Sequence, residues 1–274
     1  MKETKKFISP NAWFSIEYPA NWYEFEDGEG SFLFYNPDQW TGNFRISGLK
    51  GDSSQFGAQV VKEEREVNLK VKPFQLSSGE AVYEVSFFQE DEHEFASHHW
   101  VIGKEDMSFD CTFTSFKKDG YKIAEEILNT LVVRDTKQKY PAEIIPVRLM
   151  EIYEINSSYE WVVNFVKEQL TTDFQGIEED LSKLDKIKEE GSISTKKRDK
   201  WVALGLTVGV ILANEIEGME WRTLIDGNRE AAILIYTPSQ QVIDPMKLVW
   251  SKVKAGEEFT IVESYKETLA SLHQ

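Results

Sequence analysis

Residues 81–116 read AVYEVSFFQEDEHEFASHHWVIGKEDMSFDCTFTSF, and this stretch decides the fold. The runs 81–88, 95–102 and 108–116 read as strands, and in the last of them Phe109, Cys111 and Phe113 share one face. Two charged tips, Glu90-Asp91-Glu92 and Lys104-Glu105-Asp106, separate the three runs, so an antiparallel meander is expected. The second hairpin has two registers. Pairing Gly103 with Met107 sets Cys111 opposite His99, whereas pairing Lys104 with Met107 sets it opposite Trp100. The second register brings Trp100 and Ile102 beside Phe109 and Phe113, and apolar matching favours it.

Upstream, Trp13-Phe14-Ser15-Ile16-Glu17-Tyr18 alternates and stops at Pro19, as a strand end does. Asp27-Gly28-Glu29-Gly30 reads as a turn, followed by strands at 31–35 and 43–49. The period then changes: Phe56, Val60, Val61, Glu64, Val67 and Asn68 are spaced as one face of a helix, with Asp52, Ser53 or Ser54 as its N-cap. A short helix is expected at 121–131 and a last strand at 131–133. Lys137-Gln138-Lys139-Tyr140-Pro141 reads as a linker, which places domains at 1–138 and 139–274. The second domain opens with a helical run over 144–170, broken around Asn156-Ser157-Ser158, then a charged surface helix over 174–190 and a very apolar helix over 201–216. Asp226-Gly227-Asn228 joins two apolar runs as a hairpin, and helices over 245–254 and 258–272 close the chain. The fold class is α+β: an antiparallel sheet with flanking helices, then a mainly helical domain with a β-hairpin.

The formal net charge is −16. Residues 1–140 carry 16 Lys/Arg against 24 Asp/Glu and residues 141–274 carry 15 against 23, so each half is −8. A nucleic-acid binder needs cations to displace counterions from phosphates, and an anionic membrane makes the same demand, so neither partner is expected. The one dense basic run, Lys196, Lys197, Arg198 and Lys200, is interrupted by Asp199 and reads as a solvated helix start. A single cysteine, Cys111, rules out an intrachain disulfide. The first residues lack the apolar core of a signal peptide, which points to the cytoplasm.

Two stretches carry a resemblance. Phe14-Ser15-Ile16-Glu17-Tyr18-Pro19-Ala20-Asn21-Trp22 resembles the opening of PsbP-like and DcrB-like domains, over roughly residues 7–135. That resemblance implies an α/β/α sandwich in which the Pro ends the strand and the Trp folds under the sheet. It carries no catalytic residue, since members serve as accessory and adaptor modules. Leu204-Gly205-Leu206-Thr207-Val208-Gly209-Val210, with Gly218-Met219-Glu220-Trp221, Asp226 and Pro245, is similar to a bacterial domain of unknown function that follows such N-terminal domains. Where that domain commonly has an acidic residue, this chain has Val210 and Ile211.

Several clusters are candidates for chemistry. His93, His98 and His99 lie among carboxylates, a ligand set for zinc or nickel, but strand neighbours point to opposite faces and His98 and His99 diverge. A Cys111–imidazole dyad needs the disfavoured register and an open, low-pKa thiol. Gly205-x-x-x-Gly209 lies in an apolar run too short to span a bilayer and reads as a buried helix packed through its glycines. Trp40, in Asn36-Pro37-Asp38-Gln39-Trp40-Thr41-Gly42, stands in a turn-rich loop and is the ring expected to be exposed; Trp40, Asp38 and Trp22 are the candidate binding residues. No phosphate loop, Gly-x-Ser-x-Gly, His-Glu-x-x-His or dinucleotide fingerprint occurs, and no cofactor is expected. The leading expectation is a non-enzymatic module that binds a protein or peptide, with a basic partner favoured by charge. The alternatives are an immunity or secretion-associated protein, and a hydrolase using Cys111 or a metal near His93, His98 and His99.

Overall fold

The computed structural model describes residues 3–26, 30–77, 79–135, 138–227 and 229–272. Most of the expected turn at 27–30, Lys137 of the expected linker and Asn228 of the expected hairpin turn lie outside the described residues. The chain divides into two compact units, Met1–Tyr140 and Pro141–Gln274.

The first unit contains β1 (Thr4–Ile8), β2 (Phe14–Pro19), β3 (Tyr23–Glu26), β4 (Ser31–Tyr35), β5 (Asn43–Lys50), α1 (Phe56–Val67), β6 (Lys72–Leu76), β7 (Gly79–Glu90), β8 (His93–Lys104), β9 (Met107–Phe116), α2 (Lys122–Leu128) and β10 (Val132–Val133). Seven strands form one antiparallel sheet in the order β3-β4-β5-β9-β8-β7-β6, and β1-β2-β10 form a second. Lys104 pairs with Met107, so Cys111 lies opposite Trp100, the register that apolar matching selects. The inner face of the large sheet carries Phe32, Phe34, Phe44, Trp100, Phe109 and Phe113, all in one core with Phe7 and Phe14 of the small sheet. Phe7 packs 4.9 Å from Phe32 and Phe14 packs 5.2 Å edge-on to Phe109, which locks the two sheets together.

Helix α1 lies on the other face. Val61 packs on Val82 and Val101, and Gly57 lies directly on Gly103: a Cβ on Gly103 would stand 2.1 Å from the Gly57 carbonyl oxygen. The N-cap is Gln55, with no side-chain cap bond, rather than one of the expected Asp52, Ser53 and Ser54. Close backbone contact through Gly57 seats the helix instead. Sequence patterning misses β1, β3 and β6. Strand β6 contains Pro73, which is tolerated because it lies at the sheet edge.

The second unit contains β11 (Glu143–Pro146), α3 (Leu149–Leu170), α4 (Leu181–Glu189), α5 (Arg198–Glu215), β12 (Met219–Asp226), β13 (Arg229–Tyr236), β14 (Gln241–Ile243), α6 (Pro245–Leu248), α7 (Trp250–Ala255) and α8 (Ile261–Ser271). The expected hairpin is the β12–β13 pair, but it is the centre of a four-stranded sheet, β11-β12-β13-β14. The run expected to be one broken helix is β11 followed by α3, and α3 passes through Asn156, Ser157 and Ser158 without a break. Asn156 and Ser157 are exposed there and leave the helix ladder intact. The 174–190 region is less superficial than expected, because Leu181, Leu184 and Ile187 are fully buried.

Helix α5 is the centre of this unit, buried on nearly every side. Its two glycines allow the closest contacts. A Cβ on Gly205 would stand 2.4 Å from the Pro245 carbonyl oxygen, and one on Gly209 would meet the Trp221 ring at 2.6 Å. Backbone against backbone cannot give way as a flexible side chain can. Gly205→Ala and Gly57→Ala are each expected to destabilise the chain by about 1–3 kcal/mol, read as a lower midpoint in urea unfolding. An unchanged midpoint for either would show that the contact is looser than described.

Candidate functional site

The loop between β4 and β5 holds Trp40. The buried Asn36 side chain accepts a hydrogen bond from the Asp38 amide at 3.0 Å and turns the chain outward. Gly42, at φ +95°, brings it back against β9, where a Cβ would meet the Phe113 ring at 2.5 Å and the Thr114 carbonyl oxygen at 2.8 Å. Trp40 stays 41 % exposed between these anchors, with its ring edge-on to Phe116 at 6.3 Å. It forms one wall of a groove of about 990 Å³ whose other walls include Pro19, Asn21, Phe113, Lys122 and Ile123. Glu3, Asp119 and Glu126 also line it, three carboxylates against the single cation Lys122, among neutral polar and apolar residues.

The other two candidate binding residues fare differently. Asp38 is exposed on the same loop but does not line the groove. Trp22 is corrected: it is 1 % exposed and belongs to the core with Tyr18 and Phe34. The Pro19 carbonyl accepts its amide hydrogen in a tight turn, and that turn sends the ring inward, where no partner reaches it.

The histidines do not converge. His98 points into the core, where Tyr83 Oη lies 2.7 Å from its Nδ1 and the rings of Trp100, Phe113 and Tyr121 surround it. His99 points to the opposite face, its Nε2 3.0 Å from Asp110 and its Nδ1 3.6 Å from Glu84. His93 stands exposed at the β7–β8 tip against Phe116. The pleat thus parts the proposed ligands, and among the described residues no group of three His, Cys, Asp or Glu side chains is placed to hold a metal ion. The metal alternative at His93, His98 and His99 is corrected accordingly. Cys111 is wholly buried opposite Trp100, and burial pushes its thiol well above the usual range, so the thiol–imidazole alternative lacks both its partner and its thiolate.

One polar cluster has no counterpart in the sequence reading. Arg148 is buried at the start of α3, donating from Nε to Glu151 at 2.9 Å and from a terminal nitrogen to Glu230 at 2.7 Å. The Thr223 hydroxyl donates to Glu151 at 3.0 Å and accepts from the Arg148 amide at 3.1 Å. Arg148 and Glu151 bond Thr223 and Glu230 across 72 to 82 positions of sequence, so only the folded β12–β13 pair assembles the cluster. The cluster is saturated and ties α3 to the sheet. Among the described residues, no helix is long and apolar enough to cross a membrane.

The model for a domain of unknown function, DUF3805, matches residues 2–156, more than half of the chain. The chain belongs to the DUF3805 family. A second domain of unknown function, DUF3806, matches residues 180–265, so this DUF3805 member carries two such domains in tandem, as the resemblance implies. A crystal structure from Bacteroides thetaiotaomicron VPI-5482 is 52 % identical, covers 97 % of this chain and 98 % of that one, and superposes with a TM-score of 0.92. Cyanobacterial PsbP (CyanoP) from Synechocystis sp. PCC 6803 is similar at 8 % identity and a TM-score of 0.28, covering 49 % of this chain and 94 % of that one. LpqN of Mycobacterium tuberculosis is similar at 10 % identity and 0.31, covering 49 % and 93 %. No curated protein matches the chain.

The two adjacent histidines titrate in opposite senses. Burial lowers the His98 value from the ordinary 6.5, while the hydrogen bond to Asp110 is the largest cause raising that of His99. For His98 the unfolded chain binds more protons just below pH 6.5, so stability falls as the pH drops from there through the folded value. The contribution of His99 is complete below pH 6.5 and is lost as the pH rises through its raised value. Titration of the imidazole Cε1–H resonances should place His98 below and His99 above 6.5. The reverse order would contradict the two environments.

Proposed function

We propose that this chain is a non-enzymatic binding module and that the Trp40 groove receives a protein or peptide partner. The observation that carries this reading is the exposed Trp40 ring, held by Asn36 on one side and Gly42 on the other over a groove lined by three carboxylates and one lysine. A rigid aromatic side chain offers contact area at low entropic cost, which is why such rings dominate binding energy at interfaces. The excess of carboxylates, spread over both halves of the chain, favours a basic partner over a nucleic acid.

Trp40→Ala removes the wall and leaves the anchors. Proteins that co-purify with the full chain from its native cell are compared for wild type and variant. A specific partner should be depleted about 30-fold or more, the weight of an aromatic hot spot, with the melting temperature unchanged. Equal recovery with both baits would count against the groove as the contact.

A further inference from the structure

The outer edge of the seven-stranded sheet is only half closed. Strand β6 pairs with β7 from Gly79 to Tyr83 and ends there, whereas β7 continues to Glu90, paired with β8 along its other side. Along 84–90, alternate residues therefore turn their N–H and C=O groups away from β8, where no strand among the described residues pairs with them. Residues 85–90 are exposed one after another, including Val85, Phe87 at 60 % and Phe88 at 43 %. The pleat divides the rings between the two faces. Phe88 stacks on Phe95 at 5.3 Å and Phe95 on Phe116 at 5.2 Å, while Phe87 stands on the other face. Natural sheets protect long apolar edges with Pro, Lys or short strands. Strand β6 has all three, with Lys72, Pro73 and five residues. Val85-Ser86-Phe87-Phe88-Gln89 has neither Pro nor charge.

Charge selects the occupant. Two copies of this chain pairing antiparallel about Phe87 would set Glu84 against Glu90 at both ends, and like charges directly opposite destabilise a sheet. The same carboxylates, with Asp91, Glu92 and Glu94 at the tip, complement a cationic strand. Two of the chain's own lysines already sit this way. Lys117 Nζ lies 3.3 Å from Glu94 and 5.4 Å over the Phe87 ring, and Lys118 Nζ lies 5.6 Å over Phe116. We propose that residues 84–90 take an extended segment of a protein partner as an added strand, one in which Lys or Arg alternates with apolar residues. Backbone hydrogen bonds supply affinity, and Glu84 and Glu90 supply the choice of sign. This surface does not include the Trp40 groove, and the two succeed or fail separately.

The probe is a synthetic Lys-Val-Lys-Val-Lys-Val-Lys peptide, compared with its Glu-Val counterpart and with a Lys peptide in which two valines are proline. Fluorescence anisotropy with the full chain should give the first peptide an affinity at least about tenfold above either control. The charge-preserving double variant Phe87→Ser/Phe88→Ser should lose about tenfold of that affinity, while Trp40→Ala stays within about twofold. On the wild-type chain, hydrogen exchange should slow over 84–90. Equal binding of the proline peptide, full binding by the double variant, protection elsewhere, or no binding would each overturn the proposal. A concentration-dependent dimer abolished by the double variant would assign the edge to a second copy and overturn it too.

Discussion

How closely α1 can approach β8 sets the arrangement of the first unit. Gly57 and Gly103 bring two backbones into contact, and neither position has room for a side chain. That contact fixes where the helix sits, and its length fixes how much it covers. A helix of 12 residues is about 18 Å long, while a strand of 12 residues runs about 40 Å. Seated at the Gly103 end, α1 covers Val82 and Val101 and stops. Beyond it the same face turns polar with Glu84, His99 and Asp110, then aromatic with Phe88, Phe95 and Phe116. Strand β6 ends level with Tyr83, so the uncovered face and the unpaired edge coincide at one end of the β7–β8 hairpin.

Much of this was legible because a pleat has a period of two. Alternation alone separates His98 from His99, and matching Trp100 and Ile102 to Phe109 and Phe113 selects the register that places Cys111 opposite Trp100. Trp40 was legible from the turn residues around it. The burial of Trp22 was legible only through the resemblance, which folds that ring under the sheet; local composition does not report the turn closed at the Pro19 carbonyl. The pairing of β6 was hidden for a related reason. Pro73 argues against a strand until a neighbour makes it an edge. Gly57 and Gly103 are ordinary glycines in sequence, and their contact is a long-range fact.

The second unit divides along the same line. The apolar run of α5 declares its burial, and its paired glycines declare close packing. They do not say that Pro245 and Trp221 are the neighbours. The Arg148, Glu151, Glu230 and Thr223 cluster lies further from any local signal, since a buried charge is tolerated only where its partners are already assembled. Breaking it by removing one partner strands the others in the interior. This makes it a device for fixing the start of α3 against the β12–β13 pair rather than a reserve of reactivity.

Reaction requires polar groups that folding leaves unspent, and three of the candidates that the sequence offers are spent, while the His93 imidazole stays exposed at the hairpin tip. The Cys111 thiol is sealed in the core, His98 is held by Tyr83, and His99 has a carboxylate at each ring nitrogen. Folding also leaves outward an indole over a groove, and a length of β7 whose rings and backbone lack a cover. Rings and backbone groups recognise shape and strand, and neither is a nucleophile or a base. In the proposed reading, acidic residues beside the groove and at the hairpin tip discriminate by charge between partners that the rings alone would accept.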